Sequence, residues 1–290
     1  MLVCKELTTL RSQISDWRKQ NNALDQNIAF VPTMGNLHQG HLSLIKIAQQ
    51  KASYVVVSIY VNPLQFSPDE DFDSYPRTLG NDLDKLDKLG VDLVFTPDST
   101  LIYPEGELHS CSVEVPVLST IIEGEFRPGF FRGVATVVLK LFNMVQPDIA
   151  IFGEKDFQQL LVIRQMVSDL QLPIEIIGAE TIREADGLAM SSRNNYLSIS
   201  ERKNSRLLSE TLAVCRRHIE QGMAVEQAEK KCVETLSSYG FVVDYVTLRE
   251  TTALKKVASD SLENKTLILL AAAKMGKTRL IDNLKFECST

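Results

Sequence analysis

The run Pro32-Thr33-Met34-Gly35-Asn36-Leu37-His38-Gln39-Gly40-His41 holds the residue types and spacing best suited to chemistry. Two of the chain's four histidines stand within four residues, as His38-x-Gly40-His41. The run follows an apolar stretch, Ile28-Ala29-Phe30-Val31, and precedes an amphipathic one, Leu42-Ser43-Leu44-Ile45-Lys46-Ile47-Ala48. That pattern reads as strand, tight turn and helix. A helix start presents N–H groups and the positive end of the helix dipole, which attract anions and phosphate above all. Imidazoles beside bound phosphate can stabilise the charge that develops when phosphorus is attacked. Gly35 and Gly40 suit a backbone that approaches a ligand closely or takes positive φ. A lone histidine is more often structural. The paired spacing on such a turn points to an enzyme that handles a nucleotide triphosphate.

Three further segments fit that chemistry. Gly153-Glu154-Lys155-Asp156-Phe157-Gln158-Gln159 places a glycine at a strand end, then a helix start. Lys155 there can reach a phosphate, Asp156 can cap the helix or hold a hydroxyl, and Gln159 lies one turn on. A solvated helix start with an ion pair is the plainer reading. Met190-Ser191-Ser192-Arg193-Asn194 follows Gly187 and combines two hydroxyls with a guanidinium, a good phosphate clamp. Val61-Asn62-Pro63-Leu64-Gln65-Phe66 ends an apolar strand with an amide pair that could read a small polar substrate; an ordinary proline turn is as good a reading. Glu123 to Gly133, rich in glycine and charge, suits either a loop closing over the site or a subunit contact. Gly276-Lys277-Thr278 imitates the end of a phosphate loop, but Ala271 stands where that motif needs glycine. The acidic run Asp69-Glu70-Asp71 reads as a solvated loop.

These segments need a scaffold. Short apolar runs at 28–32, 54–61, 91–96, 111–115, 148–152 and 174–178 alternate with helical patterns at 41–52, 77–89, 133–145 and 156–170. Near-continuous β-branched runs such as 54–61 suit strands buried on both faces. The alternation predicts a doubly wound, parallel-sheet α/β domain, Rossmann-like, over residues 1–180. In such folds ligands bind beyond the carboxyl ends of the strands, so the unusual segments are expected to serve one site. Helical patterns at 198–221 and 224–238, then strand patterns at 241–249, 266–273 and 278–282, predict a smaller α+β domain over 181–290.

Composition narrows the alternatives. The chain has 290 residues, 44% hydrophobic and 23% charged, as globular proteins do. A net charge of −6 argues against broad binding to nucleic acid or an anionic membrane. Five scattered cysteines form no Cys-x-x-Cys and no zinc-ligand pattern, as expected of free thiols in a reducing compartment. No run reaches the roughly 18 apolar residues of a membrane span, and no signal-like start is present. A cytoplasmic location is expected.

Taken together, Pro-Thr-Met-Gly-Asn-Leu-His-Gln-Gly-His resembles the His-x-Gly-His signature of the nucleotidyltransferase superfamily, and Met-Ser-Ser-Arg-Asn resembles its counterpart of the Lys-Met-Ser-Lys-Ser loop. With Val-Asn-Pro-Leu-Gln-Phe, Tyr75-Pro76-Arg77-Thr78 and Gly-Glu-Lys-Asp-Phe-Gln-Gln, the resemblance narrows to the pantothenate synthetase (pantoate–β-alanine ligase) family. It implies ATP-dependent condensation of pantoate with β-alanine through pantoyl adenylate, releasing pyrophosphate and AMP. It further implies Mg2+ accompanying ATP, with protein ligands unassigned, and a cytoplasmic homodimer whose C-terminal domain closes as a lid. By the same resemblance, Met34, Gly35, Asn36, Leu37, His38, Gln39, Gly40 and His41 would line the ATP site, with His41 as proton donor and His38 on phosphate. Gly153, Glu154, Lys155 and Asp156 would contact ATP, with Lys155 on phosphate and Asp156 toward the ribose. Ile182 would pack on adenine, while Met190, Ser191, Ser192 and Arg193 would close on the phosphates. Gln65 and Gln159 would hold pantoate, Gln65 also lying near β-alanine. The chain departs from many relatives at Phe130, where they carry histidine, so no catalytic role is carried over there. The competing readings are a nucleotidyltransferase that keeps the nucleotide on its product, and a nucleotide-binding regulator.

Overall fold

The computed structural model describes residues 1–19, 27–67 and 70–288, so Asp69 of the acidic run lies outside the described residues. The chain divides into two compact units, Met1–Glu154 with Val162–Glu180, and Lys155–Leu161 with Thr181–Thr290.

In the first unit the elements run β1 (Leu2–Cys4), α1 (Leu7–Lys19), β2 (Ile28–Thr33), α2 (Gln39–Lys51), β3 (Tyr54–Ile59), α3 (Leu79–Lys88), β4 (Leu93–Phe95), α4 (Ser99–Ile102), α5 (Glu123–Phe126), α6 (Phe130–Val145), β5 (Ile149–Gly153) and, after α7 (Phe157–Asp169), β6 (Glu175–Ala179). Helix α7 begins in the second unit and ends in the first. The strands form one parallel sheet in the order β1-β4-β3-β2-β5-β6. From β2 the chain builds outward in both directions. The topological switch point, where α/β sheets hold ligands, therefore lies between β2 and β5, which pair through Ala29↔Ile149 and Phe30↔Ala150. Both central strands are sealed from water: Ile28 to Val31 are 0% exposed, as are Ala150 and Ile151. Burial on both faces is why they read as unbroken apolar runs instead of alternating ones.

Two elements carry no signal strong enough to read in advance. Strand β1 has three residues and pairs Leu2↔Leu93, Val3↔Val94 and Cys4↔Phe95 at the sheet edge. Helix α1 buries only Leu10, Ile14 and Trp17, and the Trp17 ring stacks on Tyr54 at 4.4 Å. In the other direction, 111–115 forms no strand: the Val113 N–H is taken by the Thr136 hydroxyl of α6 at 2.9 Å, not by a neighbouring strand. Helix α6 starts at Phe130, earlier than its apolar periodicity suggests, because Gly129 takes a left-handed φ of +85° that turns the chain into the helix. Gly133 packs so closely that a Cβ there would collide with the Leu64 carbonyl.

The second unit contains α8 (Ile199–Ser205), α9 (Leu207–Glu220), α10 (Val225–Ser238), β7 (Phe241–Glu250), β8 (Lys265–Met275) and β9 (Thr278–Cys288). The helical pattern at 198–221 is split in two near Arg206. The strands form an antiparallel sheet ordered β7-β8-β9. Its core joins Leu212, Cys215 and Leu236 of the helices to Leu248, Leu267, Leu269 and Ala271 of the sheet. Gly276-Lys277 is the β8–β9 hairpin turn, with Gly276 at φ +58°, so Gly-Lys-Thr is turn chemistry and not a phosphate loop. All five cysteines are free, four of them buried. Among the described residues no helix is long and apolar enough to cross a membrane.

Gly133→Ala is expected to destabilise the protein by about 1–3 kcal/mol, the usual range for overpacking a close contact. Urea unfolding monitored by circular dichroism measures it, and an unchanged midpoint would show that the Leu64 turn yields without cost.

Candidate active site

The turn after β2 is built by satisfying its own backbone. Gly35 and Asn36 both take left-handed φ, +79° and +49°. Such a kink turns successive N–H groups to one side, and each needs an acceptor. Thr33 Oγ accepts from Gly35 N at 3.2 Å while its hydroxyl donates to Ser58 O at 2.8 Å. Asp82 of α3, 0% exposed, accepts from Asn36 N at 2.9 Å and Leu37 N at 2.8 Å. The Thr78 hydroxyl donates to the same carboxylate at 3.0 Å, and Lys85 Nζ donates to Leu37 O at 2.7 Å. Leu37, 2% exposed, anchors the turn in the core.

The two histidines form a capping box at the start of α2. His38 Nδ1 accepts from Gly40 N at 3.1 Å, and His41 Nδ1 accepts from His38 N at 3.3 Å. Their rings lie 4.0 Å apart between centroids. This changes the expected division of labour. The N–H groups of residues 36, 37, 38 and 40 are engaged within the protein. Gly40 itself lies in the first turn of α2 without positive φ; its contribution is the N–H given to His38. An imidazole that accepts at Nδ1 carries its proton on Nε2. Both rings therefore present Nε2–H as the donor, and the half-buried imidazoles, backed by the helix dipole, are the groups fitted to meet an anion.

After β3, Asn62 begins the short turn Pro63–Gln65 and is fully buried, while Gln65 is half-buried. Asn62 Nδ2 donates to Gln65 Oε1 at 3.1 Å. The 123–133 stretch is not a loose loop. It comprises α5, a three-residue link and the first turn of α6, pinned by Arg127. Arg127 donates to Glu70 at 2.7 and 2.6 Å, to Glu123 at 3.4 Å and to Gln65 O at 3.0 Å. Its guanidinium lies 3.7 Å from the Phe130 ring centroid, so the aromatic ring at that position serves as a stacking platform. Gly153 ends β5 at the switch point, and Glu154 begins the short turn that follows it.

The second unit holds the other expected residues, of which Lys155 and Ile182 are bonded to Met190. Residues 182–190 form a tight hairpin, with Met190 N bonded to Ile182 O at 3.0 Å, an Arg183↔Ala189 bridge, and Gly187 at φ +91°. Lys155 Nζ donates to Met190 O at 3.0 Å. Ser191 Oγ accepts from Arg193 N at 3.3 Å and so caps the Ser192–Tyr196 turn. Beneath the hairpin, Arg183 donates to both oxygens of Asp282 at 2.7 and 2.9 Å, and to Gly187 O at 3.0 Å. Asn283 Nδ2 holds Lys155 O at 2.9 Å. Desolvation lowers the Lys155 pKa. Asp156 and Asp282 oppose the shift, while Arg193 and Arg183 reinforce it. Ile182 keeps 37% of its surface exposed, Asp156 is exposed, and Gln159 is half-buried.

Sequence reasoning named Asn62 with Gln65 as an amide pair, but missed Asp82, Arg127, Arg183 and Asp282 as parts of this construction. Thr78 and Asp82 sit four apart at the start of α3, with Lys85 a further three on, a spacing that places them on one helical face. The Arg183–Asp282 pair spans 99 residues and leaves no local signal. Among the described residues no group of three or more His, Cys, Asp or Glu is arranged to hold a metal.

A parallel α/β sheet that presents imidazole donors beside its switch point belongs to the nucleotide-handling class of enzymes. The comparisons with known proteins refine that class. The family model for pantoate-beta-alanine ligase matches residues 2–285. A pantothenate synthetase from Shewanella oneidensis is 50% identical over 287 residues, 99% of this chain and 100% of that one. Among solved structures, a pantothenate synthetase from Thermus thermophilus superposes with a TM-score of 0.88 at 42% identity, covering 100% of both chains. A pantoate-beta-alanine ligase from Francisella tularensis, solved with "Beta-gamma ATP" and β-alanine, gives 0.79 at 33% identity, covering 98% of this chain and 97% of that one. The chain belongs to the pantoate–β-alanine ligase family, and it is a ligase of pantothenate synthesis.

Asp82→Ala is expected to destabilise the protein by about 2–6 kcal/mol, since two backbone N–H groups lose their acceptor at about 1–3 kcal/mol each. Catalysis should fall with it in the fraction that stays folded. A urea midpoint equal to that of the parent would mean that the turn holds its shape without the carboxylate.

Proposed function

We propose that the ligase works in two steps on MgATP. In the first, a pantoate carboxylate oxygen attacks the α-phosphorus, the bond to the bridging oxygen breaks, and pyrophosphate leaves. In the second, the β-alanine amine attacks the acyl carbon, the C–N bond forms, the bond to AMP breaks and the amine gives up a proton. Adenylation supplies the leaving group that a free carboxylate lacks. Magnesium enters with the triphosphate as part of the substrate, held mainly by phosphate and water.

The roles follow from what each residue offers. His41 and His38 donate from Nε2 to phosphate oxygens, with His41 as proton donor, along the Met34–His41 turn. Lys155 and Arg193 place positive charge on the phosphates, with Ser191 and Ser192 as neutral donors. Asp156 faces the ribose, Gly153 and Glu154 line the nucleotide, Ile182 packs on the adenine, and Met190 closes on the phosphates beside Ser191, Ser192 and Arg193. Gln65 and Gln159 hold pantoate. The observation that carries this reading is the inward-turned Nδ1 of both histidines, which makes Nε2–H the donor of each ring. Such preorganised donors stabilise charge that appears only in the transition state. No covalent nucleophile is needed. A cytoplasmic homodimer is part of the same proposal, and the free cysteines fit a reducing compartment.

Lys155→Ala should slow adenylate formation by roughly 10²-fold, as for loss of one charge-stabilising donor. Burial disfavours the ammonium, so its proton is lost at lower pH than from an ordinary lysine of about 10.4. The rate should accordingly fall as pH rises through that lowered value. This alkaline limb of kcat/KM for ATP should shift upward in Lys155→Arg; a limb that does not move assigns it to another group. The reaction order is tested by pyrophosphate release from MgATP and pantoate without β-alanine. One equivalent per site should appear in a burst and become steady turnover once β-alanine is added. Release that waits for β-alanine would refute the adenylate.

A further inference from the structure

We infer that Tyr103 and Asn62 dictate which end of the Gln65 amide meets the acid substrate, and so make that position selective for an acceptor group. The inference rests on the assignment of Gln65 to pantoate. Its logic starts at the Gly133 carbonyl, which lies 3.2 Å from Asn62 Nδ2. A backbone carbonyl can only accept, so the amide atom facing it must be the NH2. The same NH2 lies 3.1 Å from the Gln65 side chain. An NH2 can only donate, so Gln65 meets it with Oε1. Gln65 Nε2, with both hydrogens, then points away from Asn62. Among the described residues the remaining bonds of Gln65 are backbone bonds: its N–H to Asn62 O at 3.1 Å and its carbonyl to Arg127 at 3.0 Å.

Tyr103 completes the arrangement. Its hydroxyl donates to Asn62 Oδ1 at 2.8 Å, giving the buried oxygen the donor it needs. Tyr103 is 2% exposed and Asn62 0%. A flipped Asn62 would set its oxygen against the Gly133 carbonyl and the Gln65 oxygen. Gly133 permits the arrangement because no Cβ holds α6 away from the Leu64 turn. Lys140 fixes the tyrosine from its other face, with Nζ 5.1 Å from the ring centroid and bonded to Ile102 O at 2.9 Å. Burial also raises the Tyr103 pKa, which keeps the hydroxyl protonated as a donor. An amide that presents two donors fits a carboxylate and the adjacent hydroxyl of a hydroxy acid. Presented the other way round, it would favour an ammonium. Tyr103 and Asn62 are thus positioning residues: they act through Gln65.

Tyr103→Phe keeps the ring and removes the one donor to Asn62 Oδ1. KM for pantoate should rise about tenfold, the scale of one hydrogen bond, while KM for ATP stays within about twofold. Unchanged pantoate KM, or an equal rise for both substrates, overturns the relay. Gln65→Glu, which cannot donate when ionised, separates the two levels of the argument. If it leaves pantoate KM unchanged, the Gln65 assignment fails and the relay with it. If it raises pantoate KM while Tyr103→Phe does not, the relay alone fails. Should Tyr103→Phe not fold, the unmutated protein decides. Its Gln65 side-chain NH2 resonance, identified by its loss in Gln65→Glu, should shift when pantoate is titrated in the presence of a non-hydrolysable ATP analogue. A resonance that does not move overturns the inference.

Discussion

The carboxylate of Asp82 is the contact on which the His38–His41 geometry rests. A chain leaving a central strand through two consecutive left-handed residues cannot hand its N–H groups to the sheet, and in a core position water cannot take them. One buried carboxylate with two oxygens accepts from Asn36 and Leu37 together, and the Thr78 hydroxyl occupies a further lone pair. With residues 36 and 37 fixed, His38 is delivered to the N-cap of α2, and the capping box orients both rings. The orientation of the two imidazoles is thereby set from a neighbouring helix, α3.

The second unit solves a similar problem with a guanidinium. The hairpin ending at Met190 must hold its carbonyls still, and Arg183 reaches Gly187 O while both of its terminal nitrogens bind the nearly buried Asp282. A bidentate pair fixes orientation as well as charge. Removing one partner from such a pair leaves a buried charge that costs about 3–5 kcal/mol, so the hairpin and β9 are tied together. Asn283, the next residue, carries the tie to the Lys155 carbonyl. One corner of β9 thus supports both Lys155 and the Met190 turn.

How far the sequence speaks depends on the range of the interaction. The strand–turn–helix around His38 is local: apolar runs flank a turn with glycine and asparagine, and the structure places β2 and α2 where those signals lie. The parallel sheet follows from alternating elements and β-branched runs. What fails is short or non-local. Strand β1 has three residues, too few for a pattern. The apolar–polar alternation at 111–115 imitates a strand, yet a side chain of α6 takes the Val113 N–H. Free N–H groups at the helix start are a fair expectation from a generic helix, but two imidazoles and an aspartate 46 residues from Asn36 consume them. Gly35 shows its positive φ, whereas Gly40 is helical, because the sequence marks the turn without marking where it ends. The acidic residue Glu70, which reads as solvated, neutralises Arg127.

The two cations Arg127 and Lys155 show why burial alone does not identify a functional charge. Arg127 is nearly buried, and its charge is met by Glu70 and Glu123, one carbonyl and an aromatic face. Nothing in that arrangement leaves field for a ligand, and its effect is to fix Gln65 O and the α5–α6 link. Lys155 is treated in the opposite way. Its ammonium is held on the neutral Met190 carbonyl, in surroundings that lower its pKa through desolvation. Its charge is less compensated there than that of Arg127, which lies between two carboxylates. Burial alone therefore does not separate the two cations; the partners that meet each charge do.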